Sequence, residues 1–163
     1  MGPLASYNER PTHIDMKPRA VLIVEDDMTL KILWQQIIRK LDVTVELEWA
    51  TSEASAKKAI EDKKKRGAHY DVVICDIFLS GNNTGIDLWR SYREEPTEFI
   101  FTSGVSAEKF RILLESENGF HLFLPKPLDP SLCISSLNSL LKKKSKRPNS
   151  NSDGQSLNKL ATS

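Results

Sequence analysis

Four stretches of the chain carry side chains that could do chemistry together: the acidic run Glu25, Asp26 and Asp27, then Asp76, Thr102 and Lys126. The first, VLIVEDD at residues 21–27, runs four apolar residues straight into three adjacent carboxylates. Such carboxylates repel and raise one another's pKa unless a cation neutralises them, and an all-oxygen acidic site favours hard Mg2+ over Zn2+. Thr102, in FIFTSG, offers a hydroxyl, and Lys126, in FLPKPL, an ammonium; both suit phosphate oxygens. Taken singly, each residue has a plainer role as a helix cap, a turn aspartate, a strand-end hydroxyl or a solvated loop charge. Their joint meaning depends on whether the fold brings them together.

Period and punctuation supply that fold. Strand-like and helix-like segments alternate from Ala20 to Leu141 with turn residues between them. The segments Ala20–Val24, Asp71–Cys75, Glu98–Phe101 and Phe120–Leu124 are mostly continuous apolar runs and read as central parallel strands covered on both faces. TVELEW, residues 44–49, alternates Val45, Leu47 and Trp49 with Thr44, Glu46 and Glu48, the pattern of a strand at an edge with one wet face. Met28–Leu41 places Leu30, Leu33, Trp34, Ile37, Ile38 and Leu41 on one helical stripe, with Asp27 positioned to cap it. A second helix spans Ser52–Arg66 and stops at Gly67; a third runs from Gly85 to Glu94, before Pro96. A fourth begins near Ser106 and buries Phe110, Leu113 and Leu114; a fifth follows Asp129-Pro130 and buries Cys133, Leu137, Leu140 and Leu141. Five strands alternating with five helices predict an α/β fold, a (βα)5 doubly wound parallel sheet of flavodoxin-like order 2-1-3-4-5. In it the four reactive stretches follow strands 1, 3, 4 and 5 at the carboxyl ends, where such sheets bind ligands.

The bulk properties agree with one domain. With 163 residues, 39% hydrophobic and 28% charged, the chain resembles an ordinary globular protein, and no apolar run approaches a membrane span. No secretory signal precedes the first strand, so a cytoplasmic location is expected. Cys75 and Cys133 lie far apart in apolar context and read as reduced, buried thiols. Residues 142–163 carry six Lys/Arg against one Asp, so the rest of the chain is net acidic, the wrong sign for gripping nucleic acid. The expected organisation is a flexible extension at 1–18, a domain at 19–141 and a disordered basic and polar tail at 142–163.

VLIVEDD, YDVVICDIFL, FIFTSG and LPKPLD, in that order and spacing, resemble the receiver domain of two-component response regulators across Arg19 to Leu141. The resemblance implies that Asp76 is the phosphoacceptor and that Glu25 and Asp26 form the acidic pocket for Mg2+, with Asp76 itself and the backbone carbonyl of Phe78 completing the protein ligands. It implies that Thr102 and Lys126 hold phosphoryl oxygens, that Thr102 and Phe123 form the switch, and that Lys126-Pro127 is a cis peptide. The implied donor is a sensor histidine kinase or phosphotransfer protein. The output is a downstream protein contacting the face made by helix 4, strand 5 and helix 5, with homodimerisation as a further possibility. On this reading the chain is a phosphoacceptor with slow self-dephosphorylation rather than an enzyme.

Two departures stand out. The loop after Asp76, IFLSGNNTG, has Ser80 where many members have proline, and is longer. Phe78 puts a ring where a polar side chain could assist a hydrolytic water, which predicts a long-lived phosphoryl group. Rival readings fare worse. A haloacid dehalogenase type phosphohydrolase needs a second Asp where Phe78 stands, and a flavodoxin-like FMN carrier needs a phosphate-donating loop where EDDMT would repel phosphate. A phosphorylation-independent interaction module on the same fold remains the alternative. With 22 residues after the fifth helix, a stand-alone receiver acting through protein contacts is expected.

Overall fold

Residues 17–117 and 121–144 are described by the computed structural model of the chain. Strands and helices alternate through them: β1 (Arg19–Val24), α1 (Leu30–Arg39), β2 (Val45–Ala50), α2 (Glu53–Lys65), β3 (Val72–Asp76), α3 (Gly85–Tyr92), β4 (Glu98–Ser103), α4 (Ala107–Leu113), β5 (Leu122–Pro125) and α5 (Pro130–Lys144). The strands form one parallel sheet in the order β2-β1-β3-β4-β5. This is the doubly wound α/β fold that the sequence pattern predicts.

Side chains on a strand alternate between faces, so an apolar strand must find a partner on each side. In β1, Ala20, Leu22 and Val24 pack with Ala56 and Ile60 of α2, Leu88 of α3 and Phe110 of α4. Val21 and Ile23 pack on the opposite face with Trp34 and Ile37 of α1 and Leu137 and Leu141 of α5. Two helical layers therefore clamp the sheet, and α1 and α5 share one of them. At the β2 edge the expected alternation holds through Leu47, with Glu46 exposed between the partly buried Val45 and Leu47, and stops at Glu48, which is partly buried and bonded to Tyr70 and Lys63.

Local chemistry sets the helix ends. Ser52 and Ser55 form a reciprocal capping box at the start of α2, and Thr84 and Asp87 do the same for α3. At the end of α2, Gly67 adopts φ +71°, and the N–H groups of Gly67 and Ala68 donate to the carbonyls of Lys64 and Lys63. Asp129 Oδ1 accepts the N–H groups of Ser131 and Leu132, opening α5 with Pro130 in its first position.

The structure departs from the sequence reading at several points. β5 lies at an edge, as the predicted order 2-1-3-4-5 requires but against the central position its apolar run suggests; α4 and α5 cover it on both sides even there. Phe120, expected in that strand, lies outside the described residues. Leu113 is 36% exposed, because the short α4 turns Phe110 and Leu114 inward. α1 begins at Leu30, not Met28, and Asp27 caps the preceding turn instead: its Oδ1 accepts the Thr29 N–H at 3.0 Å and the Thr29 hydroxyl at 2.6 Å. α5 continues to Lys144, beyond Leu141. The remainder of the expected tail, 145–163, and residues 1–16 of the N-terminal extension lie outside the described residues. Among the described residues no helix is long and apolar enough to cross a membrane.

Candidate functional site

The strand registers bring the reactive residues to one edge of the sheet. β1 pairs with β3 up to Val24 opposite Cys75, leaving Glu25 and Asp76 as the next residues on neighbouring strands. Asp76 pairs with Thr102 across β3 and β4, and Ser103 pairs with Pro125, so Lys126 emerges beside them. The Glu25 N–H donates to the Ala50 carbonyl at 2.9 Å, and the Lys126 N–H to the Ser103 carbonyl at 2.8 Å, fixing both backbones just past the strand ends. Lys126-Pro127 is a cis peptide.

Three carboxylates and one ammonium make up the centre. Lys126 Nζ donates to Asp76 Oδ2 and to Glu25 Oε2, each at 2.7 Å. Glu25 is 1% exposed and Asp76 7%, so both charges are largely removed from water and depend on such partners. The second oxygen of each carboxylate takes a backbone donor: Asp27 N–H to Glu25 Oε1 at 3.0 Å, and Phe78 N–H to Asp76 Oδ1 at 3.1 Å. Asp26 sits nearer the mouth, its Oδ2 accepting both the N–H of Ser80, at 3.1 Å, and the Ser80 hydroxyl.

Environment pulls these groups in different directions. Burial pushes the Glu25 carboxyl above its ordinary range, against the opposing pull of the Lys126 ammonium. The Ser80 hydroxyl is the main influence holding the Asp26 carboxyl below its usual value. At Lys126 burial works against the charged form, but the bonds and attraction from Asp76 and Glu25 outweigh it and raise its pKa. One ammonium shared by two buried carboxylates, with a third beside them, leaves the centre short of positive charge.

The donor set fits a hard divalent cation. Glu25, Asp26 and Asp76 present oxygens that all lie within 4.8 Å of one another, a spread that a small side-chain rotation or a bridging water closes onto one ion. Among the described residues no other group of His, Cys, Asp and Glu is so arranged. The Phe78 backbone lies against the Asp76 carboxylate through its N–H, and the residue is 51% exposed.

Thr102 is buried at 2% exposure, and its carbonyl accepts the Ile77 N–H at 3.0 Å, tying the end of β4 to the residue after Asp76. Phe123 is half-buried, and its ring stacks on Phe110 of α4 at 4.4 Å between centroids with 13° between planes. Two contributors escaped the sequence reading. A Cβ on Gly85 would lie 2.2 Å from the Asp76 carbonyl oxygen, so only glycine lets α3 begin this close to the centre. Its signal was the Thr84-x-x-Asp87 box around it. The Ser80 contact to Asp26 joins residues 54 apart and had no local signal.

The model of the response regulator receiver domain family matches residues 21–138. Among curated proteins, none matched by sequence. Among solved structures, the chain is similar to a CheY-like response regulator receiver domain protein from Methanospirillum hungatei JF-1, with 20% identity and a TM-score of 0.64 over 80% of this chain and 98% of that one. It is similar to a two component response regulator from Cytophaga hutchinsonii, with 20% identity and a TM-score of 0.66 over 80% and 99%. A third is the signal receiver domain of an HD domain-containing protein from Pseudomonas fluorescens Pf-5, with 22% identity and a TM-score of 0.62 over 78% and 90%. At these identities the structural likeness speaks for the fold alone.

Proposed function

The chain belongs to the response regulator receiver domain family, and from that premise we propose that Asp76 accepts a phosphoryl group from phosphohistidine on a sensor histidine kinase or phosphotransfer protein. The acyl phosphate then changes the contacts made with other proteins. The observation that carries this reading is the shared Lys126 ammonium, 2.7 Å from both Asp76 and Glu25, at the strand ends beside Asp26. Members of this family are phosphoacceptor switches rather than classical enzymes.

An Asp76 carboxylate oxygen attacks phosphorus in line; the P–N bond to the donor imidazole breaks, and its electron pair leaves with the imidazole nitrogen. A carboxylate is a weak nucleophile toward an already anionic phosphoryl group, so positive charge must meet the transferred oxygens. Mg2+ held by Glu25, Asp26, Asp76 and the Phe78 carbonyl would supply part of that charge when bound. Lys126 supplies the rest, its ammonium passing from a carboxylate oxygen to a phosphoryl oxygen. The Thr102 hydroxyl donates to another phosphoryl oxygen, which draws its side chain toward Asp76.

The output follows from relative magnitudes. A stacked aromatic pair such as Phe110–Phe123 contributes about 0.5–1.5 kcal/mol beyond its buried area, whereas a hydrogen bond to a charged group contributes about 1.5–3 kcal/mol. Thr102 bonding to phosphate is therefore strong enough to shift the Phe123 ring, which has no hydroxyl and signals through packing alone. The face formed by α4, β5 and α5 then favours a different protein partner, a second copy of the chain included. The exposed Phe78 ring gives an attacking water no polar side chain to align it, so the phosphoryl group is lost slowly, and a lifetime of seconds would contradict this.

Intact mass after treatment with acetyl phosphate tests the proposal. One phosphoryl adduct, formed only with Mg2+ and only when Asp76 is present rather than Asp76→Asn, supports it. No adduct on either protein would instead favour an interaction module that works without phosphorylation.

A further inference from the structure

We propose that Ser80 is a positioning residue for the Asp26 carboxylate, holding it in the orientation from which Asp26 helps bind a divalent cation; the inference rests on the receiver reading of the site. Asp26 lies on the loop after β1, partly exposed at the mouth of the centre, where little packing fixes its side chain. Glu25 and Asp76, by contrast, are buried and pinned by Lys126 and by backbone N–H groups. The main hold on Asp26 comes from the loop after the neighbouring strand β3. The Ser80 N–H, at 3.1 Å, and the Ser80 hydroxyl both donate to Asp26 Oδ2.

The geometry makes this a clasp rather than a chance contact. Both donors belong to one residue and reach one oxygen, so neither occupies Oδ1. Gly81 follows at φ +117°, a conformation that L side chains rarely adopt, and lets the chain turn away directly after Ser80. Two bonds converging on one carboxylate oxygen restrict the rotation of the side chain, and a partner that orients a metal ligand raises metal affinity by reducing the ordering that binding requires. The bonds also tie the β1–α1 loop to the β3–α3 loop, so both loops respond together when Asp26 takes a cation.

Calorimetric Mg2+ titration of the full chain tests the assignment, alongside the melting temperature of each variant. Ser80→Ala keeps the N–H and loses the hydroxyl, and is expected to bind Mg2+ about tenfold more weakly, the low end of the range for groups that orient metal ligands. Its melting temperature should stay unchanged, because Ser80 is exposed on a loop. Ser80→Thr keeps both donors and should bind as the wild type does. Ser80→Ala binding as tightly as wild type, or more tightly, would overturn the assignment. Should Ser80→Ala melt lower, amide spectra of the wild type decide: the Ser80 and Asp26 signals should move with one midpoint during the titration, and a Ser80 signal that stays still overturns the clasp. A wild type that binds no Mg2+ would remove the receiver reading and the Ser80 role together. Wild-type binding with an indifferent Ser80→Ala would remove only the latter.

Discussion

Two lysine–carboxylate networks in this molecule look alike and differ in charge balance. At the corner of α2, β2 and β3, Glu48 accepts from the Tyr70 hydroxyl at 2.5 Å and from Lys63 Nζ at 3.2 Å, while the Lys63 ammonium lies 4.6 Å from the Tyr70 ring centroid. One carboxylate meets one ammonium there, and a phenol and a ring face complete the set. At the strand ends, Lys126 faces two buried carboxylates with Asp26 beside them. The first network is closed and has no need of a ligand. The second keeps surplus negative charge in a low-dielectric setting, which is unfavourable for folding alone but suited to an added cation and a transferable phosphoryl group.

If this contrast is sound, removing the lysine should separate the networks most. Lys126→Ala leaves Glu25 and Asp76 uncompensated and is expected to cost about 3 kcal/mol in denaturant unfolding, as breaking a buried pair does. Lys63→Ala should cost about 1 kcal/mol, since the Glu48 side chain is 38% exposed and can turn to water. Equal losses would erase the distinction. Mg2+ comes next: at one hundred times its dissociation constant it should stabilise the wild type by about 2.7 kcal/mol, and much less once Asp76 is Asn. Removing a carboxylate should then act with opposite sign at the two places. Asp76→Asn relieves repulsion and raises stability by about 1 kcal/mol, whereas Glu48→Gln weakens a charge-assisted pair and lowers it by about 1 kcal/mol.

The smallest effect is a difference in pH slope. Burial alone would push the Glu48 carboxyl up, but the Tyr70 hydroxyl and the Lys63 ammonium outweigh it and hold it below its ordinary 4.5. Its stabilising contribution is therefore present above about pH 4.5 and lost as the pH falls through the lowered value. The Glu25 carboxyl is pushed above 4.5 by burial, so its contribution is present below about pH 4.5 and lost as the pH rises through the raised value. Melting curves from acid to neutral pH should show Glu48→Gln flattening the acid limb and Glu25→Gln removing a loss on the neutral side. The same change of slope in both variants would contradict the contrast.

The sequence carried the architecture because the architecture depends on short-range pattern. The alternation in residues 44–49 placed β2 at an edge, and the continuous apolar runs of β1, β3 and β4 marked central strands. That logic misread β5, whose apolar faces come from helices packed over an edge strand. It misread Leu113 because α4 ends at that residue, and Phe110 and Leu114 rather than Leu113 turn to the core. At the centre, residue types at strand ends pointed to Glu25, Asp26, Asp76, Thr102 and Lys126, and the structure brings these positions to one crevice. Their partners were not legible. The Lys126–Glu25 pair spans 101 residues and the Ser80–Asp26 pair 54, and contacts of that kind exist only once loops from different crossovers meet. Gly85 stood between the two, since its capping box was readable but its contact with the Asp76 carbonyl was not.

Site mapping tests the central claim most directly. Protein treated with acetyl phosphate and Mg2+ is reduced with borohydride, which converts an aspartyl phosphate to homoserine, and peptides covering the acidic residues of the chain, those with Asp26, Asp27 and Asp76 among them, are sequenced by mass spectrometry. Homoserine at position 76, and at no other acidic position, is the predicted result. Homoserine at Asp26, at Asp27 or scattered over surface carboxylates, with Asp76 intact, would contradict the account.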